Sequence, residues 1–269
     1  MKIFYNKKDL TRALNCEKNV GFVPTMGALH KGHISLIKKS KLQSHKTILS
    51  IFVNKPQFNK VNDYANYPRN LKKDIRLIKK HKVDYLYIPK SVQIYPKGIN
   101  KRIIINSFHK KLCGRFRPKH FHSVVDVVSR FIKIIKPKRI YLGEKDLQQL
   151  LLIKDYLKNN KIKTKVVLCK TIREKNGIPY SSRNLLLTPK EKKIISKIYN
   201  FVKNNKTKII KKRIKIHSLS KKFFNYGVNK IDYINFLDTN KIIKPFLKKK
   251  KYKIFLAYNI NNVRLIDNI

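Results

Sequence analysis

Short apolar runs rich in β-branched and aromatic residues alternate with helix-like stretches through much of this chain, and that alternation restricts its fold more than any other feature. The runs NVGFVPT (Asn19–Thr25), KTILSIFVN (Lys46–Asn54), VDYLYIP (Val83–Pro89), RIYLG (Arg139–Gly143) and TKVVLCKTI (Thr164–Ile172) read as buried strands. Between them, SVVDVVSRFIKIIKP sets Val124, Val128, Phe131 and Ile135 on a period of about 3.6 and stops at Pro137. Leu147–Asn160 reads as another helix, followed directly by a strand. Strand–helix–strand alternation dictates a parallel sheet with helices on both faces, an α/β fold.

After about Thr171 the pattern changes. TPKE (Thr188–Glu191) has the form of a capping box, with Thr188 as N-cap, Pro189 at the first helical position and Glu191 reaching back. IDYINFLDTN and YKIFLAYNINNVRLIDNI then read as strands joined by turns. A smaller α+β domain is expected here, joined to the first near Asn176-Gly177.

With 269 residues, 42% of them hydrophobic, the chain can bury a substantial core. No apolar run approaches the roughly eighteen residues of a membrane span. The N-terminus, MKIFYNKKDLTRAL, lacks the long apolar core of a secretory signal, and Cys16, Cys113 and Cys169 share no pairing or zinc-ligand spacing. A reducing cytoplasm is the expected compartment. The 65 Lys and Arg against 14 Asp and Glu leave a formal charge of +51, which ordinarily suggests nucleic acid. Lysine is nevertheless spread along nearly the whole chain with Ile, Asn, Tyr and Phe, residues that share A/T-rich codons. The excess reads as base composition, and neither a specific nucleic acid nor a membrane is expected as a partner. A basic nucleic-acid-binding protein stands as an alternative on charge alone.

Open parallel sheets bind ligands outside the carboxyl ends of their strands, near the point where strand order reverses. PTMGALHKGH, NKPQF and GEKD each follow a predicted strand. In the first, His30 and His33 lie about one turn apart at a helix start whose unpaired N–H groups and dipole favour an anion such as phosphate. Gly27 and Gly32 would let the backbone approach it closely. Solvent-exposed loop histidines or a zinc site are the alternatives, though no further zinc ligand has suitable spacing. In GEKD (Gly143–Asp146), Lys145 could meet phosphates as a point charge and Asp146 could hold ribose or magnesium; a plain exposed turn reads equally well. GIPYSSRN (Gly177–Asn184) offers two hydroxyls and a guanidinium to phosphate oxygens, or is simply a polar interdomain loop. Gln57 and Gln149 are amides near strand ends, able to orient a small polar substrate. RFRPKHFHSVV (Arg115–Val125) brings Arg117, His120 and His122 to a helix start.

Taken in order, PTMGALHKGHISL, SIFVNKPQF, DYANYPR, RPKHF, GEKDLQQL, an R-x-x-x-G linker, SSRN and RLIDN resemble the pantothenate synthetase (pantoate–β-alanine ligase) family, from about Gly21 to Asn268. The resemblance implies a Rossmann-like parallel-sheet domain over residues 1–172 and a smaller C-terminal α+β lid domain over residues 173–269, usually in a homodimer. It implies a ligase that uses ATP, with Mg²⁺ present, to join pantoate to β-alanine. Pantoyl adenylate is the intermediate, with pyrophosphate and then AMP released. A same-scaffold enzyme that adenylylates another carboxylic acid is the nearest alternative, since it would keep the ATP segments without needing Gln57 and Gln149.

Carried over residue by residue, the resemblance places ATP contacts on Met26, Gly27, Ala28, Leu29, His30, Lys31, Gly32 and His33. Further ATP contacts fall on Gly143, Glu144, Lys145, Asp146, Ile172, Tyr180, Ser181, Ser182 and Arg183. Gln57, Gln149 and the adjacent Asn54 fall at the pantoate and β-alanine end, and Asp146 is the one position implied for metal. His33, His30, Lys145 and Arg183 are the expected catalytic residues, because charge developing on phosphate must be met by positioned donors and cations. Four departures stand out. Lys55 displaces the proline usually found directly after the asparagine. Lys119 and Ser123 replace glycines, and Tyr180 stands where Met or Leu is common.

Overall fold

The computed structural model describes all 269 residues. Six strands form one sheet: β1 (Lys2–Phe4), β2 (Val20–Thr25), β3 (Lys46–Ile51), β4 (Tyr85–Tyr87), β5 (Arg139–Gly143) and β6 (Lys165–Cys169). Their order is β1-β4-β3-β2-β5-β6 and every pairing is parallel. Five of these strands coincide with the apolar runs. The sixth, β1, spans only KIF, too short a run to register against the helix that follows it.

Successive residues of a strand point to opposite faces, and here they feed two separate cores. Phe22, Ile48, Tyr85, Tyr87, Ile140 and Leu142 pack with the helices Lys7–Leu14, His120–Ile135 and Leu147–Asn159. Val23, Leu49, Leu86 and Tyr141 pack with the helices Lys31–Gln43 and Leu71–Lys80 on the other side. Burial on both faces explains why these strands read as apolar runs.

Strand order reverses beside β2: β3 and β4 lie on one side of it, β5 and β6 on the other. The crevice at such a reversal opens at the carboxyl ends of the two central strands. Because β2 ends at Thr25 and β5 at Gly143, the PTMGALHKGH and GEKD segments face each other across it.

The large sheet ends at Cys169 and a second core begins at Ile178. Strands β7 (Lys230–Asp238), β8 (Tyr252–Ile260) and β9 (Val263–Asn268) form an antiparallel sheet in that order. Ile254, Leu256 and Tyr258 of β8 meet Ile195, Ile198, Val202, Leu219 and Phe223 from the helices Pro189–Asn204 and Ile216–Asn225. The capping box forms: Thr188 Oγ1 accepts from Glu191 N–H at 3.3 Å, and Glu191 Oε2 accepts from Thr188 N–H at 2.7 Å.

Asn176-Gly177 lies in a tight turn closed by Gly177 N–H to the Glu174 carbonyl at 2.9 Å. Gly177 has φ +87, and a Cβ there would sit 1.9 Å from Tyr199 Cδ1, so only glycine fits. Arg173 stacks over the same Tyr199 ring at 4.4 Å and grips Asp267 at 2.7 and 2.8 Å.

Candidate active site

β2 delivers the chain to Met26, after which Gly27 (φ 80) and Ala28 (φ 49) both take left-handed conformations. The N–H groups of Ala28 and Leu29 then each donate at 2.8 Å to the carboxylate of Asp74, on the Leu71–Lys80 helix. A concavity of backbone donors that suits an anion is thus filled by the protein's own carboxylate. Gly27, Ala28 and Leu29 shape the loop rather than line the cleft.

His30 caps the Lys31–Gln43 helix in extended conformation, and its N–H donates to His33 Nδ1 at 3.4 Å. The two rings stack with centroids 4.0 Å apart, and Tyr180 lies 6.3 Å beyond His30, nearly parallel to it. A Cβ on Gly32 would come within 2.9 Å of the His30 ring, so glycine leaves room for the stack. Burial lowers the His30 pKa to about 4; the Lys145 charge adds to that and Asp146 opposes it. His33 is held well below the ordinary histidine range by burial, then by His30 and Lys145. Both imidazoles are therefore neutral at pH 7. Since His33 Nδ1 accepts a hydrogen bond, its proton resides on Nε2, making the ring a neutral donor.

Across the crevice, Glu144–Asp146 forms a single tight turn between β5 and the Leu147–Asn159 helix. Lys145 Nζ lies 3.8 Å from Asp146 Oδ2, and both side chains line the cleft. Glu144 is taken up by Lys253 at 3.1 Å. Asn268, at the end of β9, donates both Nδ2 hydrogens to the turn, reaching the carbonyls of Glu144 and Lys145 at 2.7 and 2.8 Å. The third segment closes over the first: Ser182 Oγ donates to the Ala28 carbonyl at 3.1 Å, and Arg183 Nη2 reaches both Asp63 oxygens at 2.9 and 3.0 Å.

The remaining end of the cleft is built on Lys55-Pro56-Gln57, one turn of 3-10 helix in which the displaced proline occupies an early position that tolerates it. Asn54 is 1% exposed and aims its neighbour: Nδ2 donates to Gln57 Oε1 at 3.1 Å while Oδ1 accepts from Tyr95 at 2.7 Å. The Gln57 carbonyl accepts from His120 Nδ1 at 2.8 Å and from Arg117 Nη2 at 3.1 Å, and Arg117 Nη1 lies 3.2 Å from His120 Nε2. His120 therefore carries its proton on Nδ1, and burial with the Arg117 charge pushes its pKa down to about 3. Val124, Val127, Val128 and Phe131 add an apolar wall. Lys119 just before this helix has φ 62, the left-handed value that favours glycine, whereas Ser123 is helical and donates to the Lys119 carbonyl at 3.2 Å.

One cavity of about 250 Å³ brings the segments together. Met26, His30, Gly32, His33, Asn54, Gln57, Gly143, Lys145, Asp146, Gln149, Ile172 and Tyr180 to Arg183 all line it. Lys31 and Glu144, like Gly27, Ala28 and Leu29, do not; Lys31 Nζ lies over the Tyr180 ring, 5.8 Å from its centroid. Asp63, Asp74 and Asn268 carry the loop geometry and escaped sequence reasoning as individual residues. Their signal was the scarcity of acids in so basic a chain and the terminal RLIDN run.

An open parallel sheet with imidazoles, a lysine and arginines gathered at its switch point defines a Rossmann-like α/β protein with a site for an anionic ligand. Comparison with known proteins narrows that class. The family model for pantoate-beta-alanine ligase matches residues 2–269, and the chain belongs to that family. Pantothenate synthetase of Francisella philomiragia is 41% identical over 260 residues, covering 96% of this chain and 92% of the relative. That of Thermodesulfovibrio yellowstonii is 36% identical over 258 residues, covering 94% and 91%. Among solved structures, a Francisella tularensis pantoate-beta-alanine ligase complexed with beta-gamma ATP and beta-alanine superimposes with a TM-score of 0.86 at 39% identity, covering 100% of this chain and 97% of that one. Pantothenate synthetase from Thermus thermophilus gives 0.91 at 30% identity, covering 100% and 99%.

Proposed function

We propose that this chain is a ligase that condenses pantoate with β-alanine in two steps within the one cleft. A pantoate carboxylate oxygen attacks the α-phosphorus of ATP, the bond from that phosphorus to the bridging oxygen breaks, and pyrophosphate leaves. The β-alanine nitrogen then attacks the acyl carbon, the carbon–oxygen bond to the adenylyl group breaks, and AMP leaves. The observation that carries this reading is the convergence of three loops, distant in sequence, on one cleft in a chain matched by its family over nearly its whole length.

The geometry supports a role for each residue. His33, neutral with its proton on Nε2, donates to the α-phosphate as negative charge develops there; no proton need transfer, because pyrophosphate is already a good leaving group. His30 stacks against it and brings a second imidazole to the same oxygens. Lys145, Ser182 and Arg183 meet the triphosphate, and Tyr180 and Ile172 flank the nucleotide. Gln57, aimed by Asn54, and Gln149 orient pantoate beside the apolar wall. No group of three His, Cys, Asp or Glu side chains is arranged to hold an ion. Asp146, half exposed on the cleft wall, fits Mg²⁺ that is carried largely by the nucleotide's phosphates, where it would neutralise charge. Residues 173–269 act as a lid over residues 1–172, excluding water from an adenylate prone to hydrolysis. Following the resemblance, the enzyme works in the cytoplasm as a homodimer.

The test is pyrophosphate exchange into ATP with and without pantoate. Stimulation by pantoate is expected. Exchange that needs a different carboxylic acid would overturn the assignment in favour of another adenylylating enzyme on this scaffold.

A further inference from the structure

The carboxylate of β-alanine keeps its charge through both steps, so its site calls for a cation. The residues assigned to that end of the cleft, Asn54, Gln57 and Gln149, are neutral amides. Most cations nearby already have acids. Lys145 lies 3.8 Å from Asp146 and Arg183 holds Asp63 at 2.9 Å. Arg264, on the wall of a smaller chamber between the domains, holds Asp232 at 2.7 Å. Lys170 lines the cleft from an exposed position.

Arg117 differs from all of these. It lines both the cleft and the smaller chamber, and its hydrogen bonds go to neutral groups, the Gln57 carbonyl and His120 Nε2. A guanidinium has five N–H donors, so those two bonds leave a forked set free for a carboxylate. Burial, then the charges of Arg183 and Arg264, lower its pKa to about 10, the mark of a cation short of counter-charge. The neighbouring imidazole also holds it in place. With its proton directed to the Gln57 carbonyl, His120 can only accept at Nε2, which fixes the guanidinium.

We propose that Arg117 is the anchor for the carboxylate of the amine substrate, holding β-alanine beside Gln57 with its nitrogen free to reach the acyl carbon. This assignment rests on the pantoate–β-alanine reading above. His120 is its positioning residue.

The test separates the two half-reactions in the full-length enzyme carrying Arg117→Gln or Arg117→Lys. KM for β-alanine should rise about 50-fold or more in R117Q and less in R117K, with kcat at saturation changed by less than about fivefold. Pantoate-dependent pyrophosphate exchange, and capture of the adenylate by hydroxylamine, should stay within about threefold, because neither uses the carboxylate. Propylamine, which keeps the amine and lacks the carboxylate, should serve both enzymes equally, so the preference for β-alanine collapses in R117Q. An unchanged KM for β-alanine would overturn the proposal. So would exchange that falls in parallel with product formation, which would assign Arg117 to pyrophosphate or to support of the Gln57 turn. If the unsubstituted enzyme shows no pantoate-dependent exchange, the functional reading itself fails, and the anchor with it.

Discussion

Asn268 ties the end of the antiparallel sheet to the turn that carries Lys145. Its Nδ2 reaches two carbonyls at 2.7 and 2.8 Å, its Oδ1 accepts from Lys253 at 3.1 Å, and the residue is 3% exposed. A buried hydrogen bond contributes about 1 kcal/mol net, and a buried group left unpaired costs about 1–3 kcal/mol. Asn268→Ala removes all three bonds and strands the two carbonyls, so it should cost about 2–4 kcal/mol of unfolding free energy. Asn268→Asp keeps the shape but replaces the donor with an acceptor. Two carbonyls would then face a carboxylate, and Lys253 is already engaged by Glu144 at 3.1 Å. The aspartate variant should therefore be the less stable of the two. Because Lys145 rides on the same turn, KM for ATP in pyrophosphate exchange should rise about tenfold in both, a loss of about 1.4 kcal/mol. Urea unfolding and exchange measured against ATP concentration read these effects. An N268D protein as stable as the native one, or more stable than N268A, would refute the argument that donation to the two carbonyls, rather than filled volume, is what counts.

Three further outcomes are expected. His33→Ala should slow formation of pantoyl adenylate by about 100-fold or more, the loss of one positioned donor, while unfolding free energy shifts by less than about 1 kcal/mol; unchanged single-turnover formation would contradict this. Stability should fall with acidification, because the folded values of His120 (about 3) and His30 (about 4) lie below that of an unfolded histidine, about 6.5. The stabilisation is complete above about pH 6.5 and is lost as pH falls toward those folded values, with His120 alone accounting for something on the order of 4 kcal/mol. Urea unfolding across that range should give a shallower slope for His120→Gln, and an identical slope would count against it. Gly177→Ala should destabilise by about 2–4 kcal/mol in thermal unfolding, since it adds left-handed strain to a collision with Tyr199; a neutral result would show that the turn can move aside.

The strand runs, the helix at Val124–Ile135 and the Thr188–Glu191 cap were legible because each is dictated by neighbours a few residues away. The residue types that chemistry needs were legible too, since imidazoles and glycines at the end of a strand are uncommon company in so lysine-rich a chain. What tertiary structure decided was partnership and protonation. Asp74 fills the loop 45 residues before it, Asn268 reaches a turn more than 120 residues away, and Arg173 finds Asp267 across 94 residues. No local pattern encodes such pairs. The neutrality of the His30–His33 stack is likewise a property of burial, which exists only after three loops have met. Order along the chain determined the elements and the chemical types at their ends; packing determined which of those groups face one another and in what charge state, because desolvation and long-range contact arise only in the folded molecule.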